Sequence, residues 1–208
     1  MTLARIAPRR LPDDERRVNI LEAAERAFVR YGFQAATMAQ VADEAGMSAG
    51  NLYRYFPSKE AIVEGLCLAD QVARSESFAA LTGADDLRAA MRFALREHVL
   101  AKPREKAQLI VEIWAESGRN ARVAEFTRQL DRDVVQGMVE LVELAKTRGV
   151  AAPALDARFA ASVLYSIVAG VFKRKALEPD FDIEAEAAMA LGVFEALFAG
   201  KLAPSAEV

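Results

Sequence analysis

The sequence predicts an all-α protein with two domains, and three observations lead to this prediction. Apolar residues recur at the three- and four-residue spacing of amphipathic helices, and the alternation typical of strands is not found. The composition is rich in alanine, glutamate, leucine, arginine and valine and is 53% apolar, which is typical of helical globular proteins. Glycine and proline divide the chain into short helices up to residue 56 and longer ones after it. We therefore expect an N-terminal domain over residues 1–60 and a larger helical domain over residues 61–208.

The first helix is predicted over residues 13–31. Acidic residues stand in its first turn, where the helix dipole favours negative charge. Gly32 follows the helix and is predicted to end it in a left-handed conformation, which glycine adopts without steric cost. The preceding residues, 1–12, have no helical pattern, and we expect them to be disordered.

Two short helices follow, joined by a glycine turn. Thr37 and Gln40 have the spacing of a capping box and begin the second helix. Gly46 ends it with a positive φ, and Ser48 caps a third helix that must stop before Pro57, because the residue preceding a proline is pushed out of the α region. Two short helices joined by such a turn form a helix-turn-helix, whose second helix enters the major groove of DNA.

A fourth helix is predicted to begin after Ser58 and to connect the two domains. The five longer helices that follow are predicted over residues 85–101, 103–117, 121–148, 155–176 and 183–199. The last two are apolar over most of their surfaces, and Ala169, Gly170 and Gly192 permit close approach. Helices this apolar must be covered, and a second copy of the chain is the simplest cover. We therefore expect a homodimer formed through residues 155–176 and 183–199.

Several classes of protein are disfavoured. A single cysteine, Cys67, excludes an intramolecular disulfide and a multi-cysteine zinc site, and it favours the reducing cytoplasm. The first twelve residues lack the apolar run of a signal peptide, and the longest nearly uncharged run, residues 159–172, is too short to span a bilayer. We therefore expect a cytoplasmic protein that has no membrane partner.

Catalysis finds little support in the sequence. It has one histidine, His98, and no motif of a zinc protease, a serine hydrolase or a phosphate-binding loop. We therefore expect no enzymatic activity, no cofactor and no metal site, and an all-helical enzyme that uses His98 is the rival hypothesis. The net charge of −3 argues against nucleic acid at first, but the first 60 residues carry a small positive excess and the remainder is acidic.

The stretch TMAQVADEAGMSAGNLYRYFPSKE, from Thr37 to Glu60, carries a resemblance to a known family. It fits at every fixed position the pattern Thr-x-x-x-(Ile/Val)-Ala-x-x-Ala-Gly-(Val/Met)-Ser-x-Gly-x-(Leu/Ile)-Tyr-x-(His/Tyr)-Phe-x-(Ser/Asn)-Lys-Glu. The chain thus resembles the TetR family of bacterial transcriptional repressors over about residues 19–62. Tyr55 stands where the family more often has histidine. The resemblance implies a three-helix helix-turn-helix DNA-binding domain followed by a helical ligand-binding and dimerisation domain.

The resemblance also implies which residues meet double-stranded DNA. Ser48 and the first N–H groups of the third helix face a phosphate, and Gly50 lets the backbone approach the DNA closely. Asn51 suits adenine and Arg54 suits guanine. The full set predicted to contact DNA is Thr37, Ser48, Ala49, Gly50, Asn51, Tyr53, Arg54, Tyr55 and Lys59. The alternative is that the two tyrosines are half-buried packing residues and that Lys59 is a solvated charge. For the N-terminal tail, a minor-groove arm is the alternative to disorder.

The resemblance further implies a palindromic operator, from which the protein is released by a small apolar or amphipathic effector bound among the middle helices. The residues expected to contact the effector are Phe93, His98, Trp114 and Phe126, with His98 as a polar group in an apolar pocket. The alternative is that these side chains belong to the core. A TetR-like protein without a small-molecule effector, controlled by a protein partner or acting architecturally, is the second functional hypothesis.

Overall fold

The computed structural model describes residues 13–204, apart from the side chains of Asp13 and His98. Over this range the chain forms helices and turns and no strand, so the predicted all-α class is confirmed. The helices are α1 (Asp13–Tyr31), α2 (Met38–Glu44), α3 (Ala49–Tyr55), α4 (Lys59–Gly83), α5 (Leu87–Leu95), α6 (Arg104–Ser117), α7 (Ala121–Thr147), α8 (Ala157–Leu177) and α9 (Ile183–Phe198), with a π-helical turn (Arg96–Leu100) after α5. The segment predicted to be disordered, residues 1–12, lies outside the described residues.

The chain divides into two compact units, which we call the N-terminal unit and the C-terminal unit. The first ends at Gly65 and the second begins at Leu66. This division falls inside α4, slightly later than the boundary predicted at residue 60. One continuous helix therefore belongs to both units.

The short helices of the N-terminal unit begin and end as their capping residues dictate. The Thr37 hydroxyl accepts a hydrogen bond from the Gln40 N–H at 3.2 Å, and the Thr37 N–H donates to Gln40 Oε1 at 2.8 Å. The Ser48 hydroxyl accepts from the Asn51 N–H at 3.3 Å. Between these helices Gly46 has φ +64°, the left-handed conformation that the turn requires. These local contacts set where α2 and α3 begin and end, so that the two helices are joined by a tight glycine turn.

The core of the N-terminal unit fixes α3 against α1 and α4. The buried apolar residues of this unit are Ile20, Ala23, Ala24, Ala27, Phe28, Phe33, Ala36, Val41, Ala42, Leu52, Phe56, Ala61, Ile62 and Val63. Each large side chain among them contributes about 1.5–3 kcal/mol by leaving water. Gly65 marks a close approach in this core, because a Cβ there would lie 2.9 Å from side-chain atoms of Leu21 and Phe56.

Two apolar clusters lie in the described part of the C-terminal unit, and α8 contributes to both. The first joins the start of α5, the end of α7, the start of α8 and the end of α9, and it includes the stacked rings of Phe194 and Phe198, whose centroids are 4.2 Å apart. The second joins the π-helical turn, α6, the end of α8 and the start of α9. Helix α8 is therefore the central support of this unit.

The helix predicted over residues 85–101 is interrupted by the π-helical turn. The Ala101 N–H donates to the Arg96 carbonyl, five residues back, at 2.8 Å. The Lys175 ammonium, on α8, donates to the Leu100 carbonyl at 2.5 Å. Lys175 is only 7% exposed, and burial lowers the pKa of its ammonium. Because this partner comes from a distant helix and no proline or glycine lies in the segment, the local sequence does not reveal the interruption.

Candidate DNA-binding surface and ligand cavity

Helix α3 buries one side and exposes the other. Leu52 is fully buried, and Phe56, directly after the helix, is 4% exposed. On the other side Gly50 and Arg54 are exposed, and Tyr53 is 52% exposed. The exposed side thus carries a guanidinium and a phenol next to a position without a side chain, a combination suited to phosphates and base edges. We call this exposed side of α3 the reading face.

The other predicted DNA contacts lie at the margins of this face or in caps. Ala49, Asn51 and Tyr55 are half-buried, so they combine packing with partial access to solvent. Thr37 and Ser48 are exposed, although their hydroxyls also act as the helix caps described above. Contact of these residues with DNA stays a prediction.

Gly50 has no structural reason to be glycine within the described chain. A Cβ built on it would meet no atom within 4 Å, and its φ is not in the left-handed region. In contrast, Gly46 is required by its positive φ and Gly65 by close packing. A glycine that the fold does not need is consistent with the close approach of a partner from outside the chain.

Lys59 has a structural role that its sequence pattern does not indicate. Its ammonium donates hydrogen bonds to the carbonyls of Phe33 and Gln34, both at 2.8 Å, and lies 5.1 Å from the centre of the Phe33 ring. The side chain therefore holds the turn between α1 and α2. An ammonium has three N–H donors, so one is left over after these two hydrogen bonds. The predicted contact of Lys59 with a DNA phosphate stays a prediction.

Replacing Lys59 by methionine is expected to lower the free energy of unfolding by about 1–3 kcal/mol, because two carbonyls lose a charged donor. Chemical denaturation of the variant measures this change, and Lys201→Met, at an exposed lysine, is the control. If Lys59 also binds a phosphate, the salt dependence of DNA affinity falls by about one counterion per subunit. A variant that unfolds at the wild-type denaturant concentration would show that the carbonyl contacts contribute no stability.

The C-terminal unit contains an open cavity of about 400 Å³ between α6, α7 and α8. Its lining residues are Trp114, Ser117, Gly118, Ala124, Thr127, Arg128, Asp131, Tyr165 and Ala169. Small side chains on all three helices leave this space unfilled, while the indole of Trp114 forms an aromatic wall. The Trp114 ring is itself held edge-on to Phe172, with ring centroids 6.5 Å apart.

Two polar pairs face this cavity. The Tyr165 hydroxyl donates to Asp131 Oδ1 at 2.5 Å. Burial raises the pKa of Tyr165, and the hydrogen bond to Asp131 and the charge of that carboxylate raise it further, so the phenol stays protonated. The hydroxyls of Ser117 and Thr127 lie 2.9 Å apart. The cavity is therefore amphipathic rather than purely apolar.

The structure brings Trp114 to the cavity but not the other aromatic residues predicted to contact an effector. Phe126 is a half-buried residue of α7, with the Arg122 guanidinium 5.9 Å from its ring centre, and it does not line the cavity. Phe93 is 66% exposed, because Leu87 and Met91 take the core-facing side of α5. The side chain of His98 lies outside the described residues.

Sequence reasoning missed most of the cavity lining. Tyr165 lies in the apolar run 159–172, and its hydroxyl group, on an aromatic ring, is the feature of the sequence there that could have indicated a polar contact in a cavity. Asp131 and Arg128 had no signal, because charged residues are frequent along α7. Ala169 was assigned to the dimer interface, and in the structure it lines the cavity.

Other kinds of site are not found in the part of the chain that the structure describes. Between residues 13 and 204 no three or more histidine, cysteine, aspartate or glutamate side chains are grouped so that they could hold a metal ion. In the same range no helix combines the length and apolar character needed to cross a bilayer.

Comparison with known proteins decides the family. The model of the bacterial regulatory proteins of the tetR family matches residues 20–66, which contain the helix-turn-helix. The C-terminal model of BetI-type transcriptional repressors matches residues 83–199, more than half of the chain. The chain belongs to the TetR family. The resemblance inferred from residues 37–60 is therefore confirmed.

Individual TetR-family relatives align over most of this chain. The transcriptional regulator UidR of Escherichia coli K12 is 27% identical over 194 residues, which cover 91% of this chain and 94% of UidR. The transcriptional regulator TtgR of Pseudomonas putida is 29% identical over 173 residues, covering 80% of this chain and 82% of TtgR. The structure of Salmonella enterica GusR superposes with a TM-score of 0.71 at 27% identity, covering 88% of this chain and 97% of GusR.

Membership of the TetR family establishes the general function. The protein is a DNA-binding transcriptional regulator of the repressor type and not an enzyme. The helix-turn-helix prediction is confirmed, and the rival hypothesis of an all-helical enzyme is set aside.

Proposed function

We propose that this TetR-family protein is a cytoplasmic repressor that binds a palindromic operator as a homodimer and is released by a small amphipathic effector. The observation that carries the proposal is the unfilled cavity of about 400 Å³ in the C-terminal unit. Ligand sites in proteins are clefts of roughly 300–1,000 Å³ with a few polar groups in apolar walls, and this cavity has that character. A regulator controlled by a protein partner needs no such space, so the cavity favours the small-molecule hypothesis.

The reading face of α3 is the proposed contact with the operator. Arg54 and Asn51 would read base edges, while Tyr53 and the capping hydroxyls would hold phosphates and fix the register. The exposure of Arg54 and Tyr53 on a helix whose opposite side is core supports this assignment. Gly50, which the fold does not need, would be the point of closest approach.

The proposed dimer forms through the exposed sides of α8 and α9. On α9, exposed apolar or small residues recur at helical spacing and form a continuous stripe: Ala185, Ala188, Met189 and Gly192. On α8 the exposed side carries the small residues Ser162 and Ser166. Two such pairs of helices can pack closely around a two-fold axis as a four-helix bundle. A two-fold dimer presents two reading faces, which is why the operator is expected to be palindromic.

Effector binding would reach the DNA-binding helices through α4. In the C-terminal unit, Gln71 of α4 donates to Asp133 of α7 at 2.8 Å, two residues beyond the cavity residue Asp131. A Cβ at Gly137 of α7 would lie 2.8 Å from the ring of Phe78, so α4 and α7 are packed tightly there. Through these two contacts a ligand that shifts α7 would act on α4, which continues without a break into the N-terminal unit. Tenfold release of DNA requires only about 1.4 kcal/mol of preference for the non-binding state.

Titration of the protein with amphipathic aromatic compounds tests this proposal. Trp114 is the only tryptophan in the sequence, so its fluorescence reports on the cavity wall. An effector is expected to change this emission saturably and to lower operator affinity over the same concentration range. Trp114→Ala is expected to weaken the effect on operator affinity, whereas Phe126→Ala, outside the cavity lining, is the control and is expected to leave it unchanged. A compound that releases DNA equally from wild type and Trp114→Ala would place the effector site elsewhere.

A further inference from the structure

We infer that Asp131, which accepts a hydrogen bond from Tyr165, makes the cavity selective for effectors that carry a hydrogen-bond donor, a hydroxyl or a protonated amine, on a ring-sized apolar body. This inference rests on the proposed function, because it concerns the chemistry of the same cavity. The polar hydrogen atoms of Tyr165, Ser117 and Thr127 already have protein acceptors, whereas several lone pairs of the cavity lining remain available to a ligand.

The Tyr165–Asp131 pair presents acceptors to the cavity. The phenol hydrogen of Tyr165 is directed to Asp131 Oδ1 at 2.5 Å, and the raised pKa of Tyr165 keeps this hydrogen in place. Among the described residues 13–204 the Asp131 carboxylate accepts this hydrogen bond through Oδ1, and no second donor forms a hydrogen bond with Oδ2. A carboxylate has about four lone-pair positions, so Asp131 keeps accepting capacity, and the Tyr165 oxygen keeps a lone pair.

The hydroxyl hydrogens of the second polar pair, Ser117 and Thr127, also have protein acceptors. Thr127 is 5% exposed, and its hydroxyl lies 3.1 Å from the Val123 carbonyl, to which it can donate. The Ser117 hydroxyl lies 2.9 Å from the Ile113 carbonyl and 2.9 Å from Thr127 Oγ1. Each hydroxyl has a single hydrogen, and a protein acceptor is available to each. What these groups can still offer a ligand is lone pairs.

Arg128 does not alter the excess of hydrogen-bond acceptors over donors that the cavity offers a ligand. Its guanidinium is the cationic donor of the lining, and the residue is exposed, so water competes for its N–H groups and screens its charge. An acidic ligand that reached Arg128 would also bring its charge near the Asp131 carboxylate, one helical turn along α7. A ligand with a neutral hydroxyl or a protonated amine avoids this repulsion and can donate a hydrogen bond to the Asp131 carboxylate.

The lining residues also determine which apolar group of an effector the cavity can accommodate. The rings of Trp114 and Tyr165 provide apolar faces, and Gly118, Ala124 and Ala169 leave room beside them. An aromatic ligand would gain by burying its apolar surface against these side chains. A charge-assisted hydrogen bond to Asp131 would then orient the ring by its donor group.

Three probes that differ in one group test this inference: 4-ethylphenol, 4-ethylbenzylamine and 4-ethylanisole. Calorimetric titration of the full-length wild-type protein is expected to show the phenol or the amine binding about tenfold or more tightly than the anisole, which cannot donate. In Asp131→Ala this preference is expected to fall to about one. In Tyr165→Phe, which leaves both Asp131 oxygens available, the preference is expected to persist. Asp131→Asn, which keeps the shape of the side chain, is expected to abolish the preference for the amine and is the test if the alanine variant does not fold.

Several results would overturn the inference: equal affinity of all three probes for wild type, a preference that survives in both Asp131 variants, or no binding of any probe up to its solubility. Operator affinity measured with the same probes separates this inference from the proposed function. Donor-dependent binding that leaves operator affinity unchanged would uphold the inference and contradict release by an effector in this cavity. If the phenol and the anisole release DNA equally well, the proposed function is upheld and the inference of donor selectivity is contradicted.

Discussion

Gly50→Leu is expected to abolish specific operator binding and to leave the helical fold unchanged. The fold has room for the side chain, because a Cβ at Gly50 meets no atom of the described chain within 4 Å. The proposed DNA complex has no such room, because the backbone of α3 is expected to approach the operator there. Loss of the fit would return affinity to the non-specific level, a decrease of about a thousandfold or more.

Fluorescence anisotropy with a labelled operator measures this loss, and circular dichroism with chemical denaturation measures the fold. Gly83→Leu is the matched control, because Gly83 also has ordinary φ and no atom within 4 Å of a built Cβ, but it lies at the end of α4. The control is expected to bind as wild type does. A Gly50→Leu protein that keeps operator affinity would remove α3 from close contact with DNA.

Arginine at position 188 or 192 is expected to give a folded monomer that has lost specific operator affinity. Both positions are exposed in the single chain, and a Cβ at Gly192 meets no atom within 4 Å, so each subunit can accept the new side chain. In the proposed interface each arginine would be buried without a partner on both sides of the two-fold axis, at a cost of several kcal/mol. A monomer carries one reading face and therefore loses the second half-site.

Sedimentation velocity of Ala188→Arg and Gly192→Arg measures the oligomeric state. Ala115→Arg, at an exposed alanine of α6 away from the stripe, is the control and is expected to remain dimeric. Two folded variants that still sediment as dimers would move the interface away from α9. Ala169 is not a suitable position for this test, because it lines the cavity and a substitution there would change effector binding as well.

The elements of the N-terminal unit were predictable because local contacts set them. The Thr37 capping box, the Ser48 cap and the positive φ of Gly46 each involve residues at most four apart. Such contacts depend on sequence spacing alone, so the pattern specifies where α2 and α3 begin and end. The reading face follows from the same short range, since burial of Leu52 fixes which side of α3 is exposed.

The cavity was not predictable because it depends on contacts between distant residues. Tyr165 and Asp131 are 34 positions apart, and nothing in either local pattern indicates that their side chains meet. Lys59 shows the same limit: its sequence position suggests a phosphate contact, while its hydrogen bonds to the carbonyls of residues 33 and 34 depend on the tertiary fold. Sequence periodicity separates buried from exposed faces but does not tell a packed face from one that lines an empty space.

Selection of DNA from a random pool by the purified wild-type protein is the decisive test of operator recognition through α3. We expect enrichment of a palindromic sequence whose half-sites are separated by about one helical turn or a multiple of it. We also expect Arg54→Ala to relax the preference at one symmetry-related position in each half-site, because a single side chain of each subunit reads that base pair. Enrichment of sequences without two-fold symmetry, or the same preferences in wild type and Arg54→Ala, would contradict a dimeric repressor that reads its operator through α3.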